Sequence, residues 1–75
     1  DVAVTNRKLR DRALRILCDL TDLDRAAAAA LLDRSGQKVK LALLMHLGQL
    51  DADTAAACLQ RHQGQLRPAI QEAQT

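Results

Sequence analysis

The sequence predicts an all-α fold: a small bundle of four to five short helices, in which helix 1 is followed by two copies of one helical hairpin, ubiquitin-associated-like in outline. Three observations predict it. Apolar residues recur at helical spacing along most of the chain. Alanine and leucine, both strong helix formers, supply most of the apolar stock. Residues 23–43 reappear in outline 27 positions later.

Each element has its own signals. Residues 1–4 read as an extended lead-in, the remnant of a linker, and residues 5–75 as a single domain of a larger protein. Thr5 is placed to cap helix 1, which runs to about Leu20. Its core face is expected to carry Leu9, Ala13, Ile16, Leu17 and Leu20, with Leu14 and Cys18 widening the stripe. Thr21 and Asp22 break the pattern. Asp24 then caps helix 2, with Leu23 as a hydrophobic staple ahead of five consecutive alanines. Ser35 and Gly36 supply its left-handed C-terminal turn.

Residues 38–47 form the central helix, ended by Gly48. Val39, Ala42, Leu43 and Leu47 share one face; Leu41, Leu44 and Met45 form a second apolar strip beside it. A helix apolar around most of its circumference must be covered on several sides, so this second strip is expected to meet a partner. Leu50 and Asp51 repeat the staple and cap for helix 4, which runs from Ala52 to about His62 before Gly64 ends it. The last helix takes Pro68 in its first turn, where a missing N–H costs little, and continues to about Ala73.

The repeat sets Leu23, Asp24, Leu32, Arg34, Ala42 and Leu43 on Leu50, Asp51, Leu59, Arg61, Ala69 and Ile70. The glycines slip by one, Gly36 against Gly64. Neither hairpin can bury its apolar face alone, so two of them stacked with helix 1 make one core.

Composition excludes much. The chain has 75 residues, with 14 Leu, 14 Ala and no aromatic side chain, near the lower limit for a self-supporting core. Its net charge of +2 is too small to imply a polyanionic partner, and no stretch is long and apolar enough to span a membrane. A cytoplasmic, reducing setting is expected for two cysteines 40 positions apart without a CxxC pair. Cys58 and His62 stand at metal-ligand spacing and could be joined by Cys18 and His46. The repeat, however, puts Cys58 at the core position of Leu31 and His62 at the helix end of Ser35, so no metal or other cofactor is expected. No carboxylate pair sits where its acidity would be shifted, and no catalysis is expected within the chain. Nucleic acid is not expected either: helix 3 presents leucines where a recognition helix shows polar groups.

Arg7, Lys8, Arg10, Arg12 and Arg15 crowd helix 1. Arg7 and Lys8, near the start of a helix with free N–H groups, suit an anion or phosphate site; the alternative is that Thr5 simply caps the helix while Asn6 and Lys8 are solvated.

The run Thr5-Asn6-Arg7-Lys8-Leu9-Arg10-Asp11-Arg12-Ala13, then Leu23-Asp24 with its alanines, then Gly36-Gln37-Lys38-Val39-Lys40-Leu41-Ala42-Leu43, resembles the C-terminal helical domain of bacterial N-acetylmuramic acid 6-phosphate etherases and of the related glucokinase regulatory protein. The likeness runs from about Val4 to Ala73. Gln37 departs from it, standing where the family often has a second glycine. The resemblance implies a non-catalytic lid or docking domain beside a sugar-isomerase-type domain that holds the active site. That enzyme cleaves the lactyl ether of N-acetylmuramic acid 6-phosphate, giving N-acetylglucosamine 6-phosphate and D-lactate in cell-wall recycling, without a metal. It further implies that Asn6 and Lys8, and more weakly Arg12, approach a sugar phosphate. Leu41, Leu44 and Met45 would then be the interface, to the neighbouring domain or to a second copy of the chain. A free-standing ubiquitin-associated-like interaction module is the alternative. Leu20-Thr21-Asp22-Leu23 replaces the Met-Gly-Phe loop such modules use, so ubiquitin itself is not an expected partner.

Overall fold

A computed structural model of the chain describes residues 2–74, with side chains from Arg7 onward. Five helices follow in order: α1 (Val2–Leu20), α2 (Arg25–Arg34), α3 (Val39–Gly48), α4 (Ala52–Arg61) and α5 (Leu66–Gln74). α3 packs against each of the other four. The all-α bundle of one long helix and two hairpins is therefore what the chain forms.

The repeat is carried down to single hydrogen bonds. Asp24 accepts the N–H of Ala27 at 2.8 Å and Asp51 that of Thr54 at 2.7 Å, each satisfying one of the N–H groups a helix start leaves free. α2 and α4 end alike. The N–H of Gln37 donates to the carbonyl of Leu32, and that of Gly64 to the carbonyl of Leu59, both at 2.9 Å. These six-residue closures leave two consecutive left-handed residues in each turn: Gly36 and Gln37 (φ 70° and 68°), then Gln63 and Gly64 (φ 59° and 80°). The apparent slip of the glycines is thus one turn with glycine at either of its two strained positions.

Gly48 has a different reason to be glycine. It is the last residue of α3, and Gln49 after it takes the left-handed conformation at φ 56°. A Cβ on Gly48 would lie 2.6 Å from the Cβ of Ala73, so the absent side chain lets α5 approach α3.

The core is built from Leu14 and Leu17 of α1, Ala28, Leu31 and Leu32 of α2, five consecutive residues of α3, Ala55 and Cys58 of α4, and Ala69 of α5. Leu17, Ala42 and Leu44 are completely buried. The expected interface strip is part of this core. Leu41, Leu44 and Met45 retain 8%, 0% and 7% exposure, because α1, α2, α4 and α5 together enclose α3. Leu41 to Met45 are thus covered by the chain's own helices.

α1 brings two further corrections. Its helix starts at Val2, so residues 2–4 are helical rather than an extended lead-in, and Thr5 lies inside the helix rather than at its cap. No glycine or proline stands before Leu9 to stop a helix from propagating back. Its rotation also differs from expectation. Leu14 and Leu17 point inward, whereas Leu9 and Leu20 are 59% and 60% exposed and Ile16 is 37% exposed. The apolar stripe is wider than α2 and α3 can cover. At the far end the Thr21 hydroxyl donates to the carbonyl of Leu17 and accepts the N–H of Leu23, closing α1 and aiming the chain into α2.

Candidate functional site

Two places on the molecule carry chemistry. The first is an open cleft of about 740 Å³ along α1, reaching the start of α2 and lined by Arg7, Lys8, Arg12, Arg15 and Arg25 around Asp11. Arg25 is engaged with Asp11, whose carboxyl this hydrogen bond and charge hold below the ordinary carboxylate range. Arg10 turns away, donating to Asp33 at 3.0 Å and to Gln37 at 2.8 Å. Arg7, Lys8, Arg12 and Arg15 form no ion pair among the described residues, although the charge of Arg15 also helps to lower the Asp11 carboxyl.

Lys8 and Arg12 are one helical turn apart and both exposed, so the structure brings these two expected residues to one cleft. Asn6 lies two positions before Lys8 in the same helix, and its side chain falls outside the described residues. The free N–H groups of α1 belong to its first turn, upstream of Arg7. The positive charge of this cleft therefore comes from side-chain cations rather than from the helix terminus.

The second place joins α4 to α5. Glu72, the only glutamate of the chain, accepts from the Cys58 thiol at 3.1 Å and stands 3.1 Å from Nε2 of His62 through its other oxygen. It also forms an ion pair with Arg61. The bonds from Arg61, Cys58 and His62 lower the carboxyl to about 2. Burial, aided by the Glu72 charge, pushes the Cys58 thiol up. A nucleophilic cysteine needs the opposite shift, so this trio does not make an activated thiol. Sequence spacing paired Cys58 with His62; Glu72, ten residues further on, is joined to them only by the packing of α5 on α4. Cys18 and His46 do not belong to the cluster among the described residues. Both cysteines are free.

Fold and surface together define a small helical domain whose outer helix offers cations and uncovered leucines, with no catalytic constellation of the acid–base or thiolate kind among the described residues. No described helix is long and apolar enough to cross a membrane. Over 97% of its length the chain is 63% identical to a protein of Gloeothece citriformis named N-acetylmuramic acid 6-phosphate etherase. It is 66% identical, over the same share, to a protein of that name from Synechocystis sp., and 61% identical over 99% to one from Crocosphaera subtropica. In each case the chain spans 24% of the relative's length. The chain thus matches a fragment of the N-acetylmuramic acid 6-phosphate etherase family. No family model matches it, and no solved structure does.

Proposed function

We propose that this chain is the helical lid or docking domain of an etherase that cleaves the lactyl ether of N-acetylmuramic acid 6-phosphate. The carboxylates that move protons in that reaction belong to the remainder of the enzyme, a sugar-isomerase-type domain. The observation that carries this reading is the outer surface of α1. Leu9, Ile16 and Leu20 stand exposed at helical spacing beside the basic cleft. Relatives about four times as long supply a remainder to cover them. The interface therefore moves from α3, where Leu41, Leu44 and Met45 are spent on the core, to α1.

In the same reading Lys8 and Arg12, with Asn6, present cations and an amide to the phosphate of the sugar at the edge of that interface. A dianionic phosphate against Lys8, Arg12 and the neighbouring Arg7 and Arg15 is complementary in charge. Docking of α1 would narrow an open cleft around it.

The test is an NMR titration of the isotopically labelled chain with the separately expressed remainder of the enzyme, and then with N-acetylmuramic acid 6-phosphate. Shifts at Leu9, Ile16 and Leu20 with the first, and at Lys8 and Arg12 with the second, are expected. A folded spectrum unmoved by the enzyme remainder at high micromolar concentration would end the docking reading. Equal response to inorganic phosphate and to the muramic compound would end the substrate-contact reading.

A further inference from the structure

The two hairpins serve as each other's control. Position for position, Leu31, Ser35 and Met45 of the first correspond to Cys58, His62 and Glu72 of the second. In the first hairpin all three are buried. Ser35 there donates to Leu32 and accepts the N–H of Lys38, joining α2 to α3. Packing at these positions is therefore met by a leucine, a methionine and a hydroxyl. The second hairpin instead gathers a sulfur, an imidazole nitrogen and a carboxylate oxygen, all within 4.8 Å of one another.

We propose that Cys58, His62 and Glu72 form a site for one thiophilic divalent cation of the zinc type, with water in the fourth position. Tetrahedral zinc, about 2.0–2.3 Å from each ligand, sets its ligand atoms roughly 3.3–3.6 Å apart. One carboxylate oxygen of Glu72 lies 3.1 Å from Sγ and the other 3.1 Å from Nε2, and the three ligand atoms lie within 4.8 Å of one another, so small rotations of His62 and Glu72 bring them to that spacing. Cys58 is 2% exposed and fixed in the core, whereas the side chains of His62 and Glu72 are 26% and 42% exposed and leave a way in. The site sits at the C-terminal end of α4, where the helix dipole favours a cation. Arg61 holds that place in the metal-free chain, and its half-exposed guanidinium can swing into water. Binding replaces the thiol proton, which leaves to solvent. A thiolate, a carboxylate and a neutral imidazole then balance the charge of the ion.

The test is titration of the reduced, metal-free chain with Co²⁺, followed by the thiolate-to-cobalt charge-transfer absorption, and then displacement by Zn²⁺ against a competing chelator. One equivalent is expected. Cys58→Ser abolishes the band, and His62→Gln and Glu72→Gln each weaken binding by more than about tenfold. Cys18→Ser and His46→Gln leave it unchanged. Far-ultraviolet circular dichroism on every variant separates a lost ligand from a lost fold, and the half-exposed His62→Gln keeps the test decisive if a Cys58 variant unfolds. A folded wild-type chain that takes up no stoichiometric cobalt or zinc overturns the proposal. So does a His62→Gln chain that binds as tightly as wild type, or a band that follows Cys18 instead of Cys58.

Discussion

At single residues the chain depends on small groups in particular places. Gly48 is such a place: its hydrogen leaves room for Ala73, and an added methyl would start 2.6 Å from another carbon. Gly48→Ala should destabilise the fold by about 1–3 kcal/mol through overpacking, read from the midpoint of urea unfolding. Gly36 behaves differently. A Cβ there meets nothing, so the cost of Gly36→Ala comes from its φ of 70° alone, about 1–2 kcal/mol. Restoring space with Ala73→Gly in the Gly48→Ala background should recover much of the first loss and none of the second. Failure of Ala73→Gly to rescue Gly48→Ala would show that the loss does not come from the contact with Ala73. Leu17, completely buried, should cost about 2–5 kcal/mol on truncation to alanine.

At the level of elements the caps and turns set the boundaries. Asp24→Ala removes the acceptor for the Ala27 N–H and should cost about 1 kcal/mol, with loss of helicity concentrated in α2. Asp33 ties three elements: it accepts from Gln37 in the turn and from Arg10 of α1, and these bonds hold its carboxyl below the ordinary 3.8. Asp51, accepting the Thr54 N–H, is lowered as well. A lowered folded-state value contributes stability that is fully present above pH 3.8 and is lost as pH falls through the folded value. Unfolding midpoints should therefore hold steady above about pH 5 and drop below pH 4. Asp33→Asn should shallow that drop; an unchanged acid limb would remove Asp33 from the account.

The boundaries of α2 and α4 were legible because each is written in local chemistry: Asp at the start, Gly in the turn, Leu ahead of the cap. The start of α1 was not, since nothing between Val2 and Leu9 punctuates the chain. Its rotation was not either. A stripe that includes Leu9, Leu14, Ile16, Leu17 and Leu20 allows more than one inward direction, and only the positions of α2 and α3 choose between them. The basic cleft could be read from Arg7, Lys8 and Arg12, because helical spacing brings them together without tertiary structure. Glu72 reaches Cys58 across a turn and a helix–helix contact, which no spacing rule encodes.

For the molecule as a whole, an inside is complete and an outside is not. The core takes Leu41, Leu43, Leu44 and Met45 of α3 and leaves Leu9 and Leu20 in water. Replacing both with serine should change stability by no more than about 0.5 kcal/mol, since neither packs against the core. The same double variant should bind the remainder of the etherase at least tenfold more weakly in a calorimetric titration, on the proposed docking face. Undiminished binding would place the contact elsewhere on the surface.

Because α3 touches all four other helices, no partial opening can expose it without dismantling the bundle. Its amides should exchange with deuterium only through global unfolding, at rates that track the full unfolding free energy as urea is added. The peptide groups of α5, which packs on α3 and α4 but on neither α1 nor α2, should exchange through smaller, urea-insensitive excursions. The middle of this short chain is then its slowest clock, and its C-terminal helix one of the fastest.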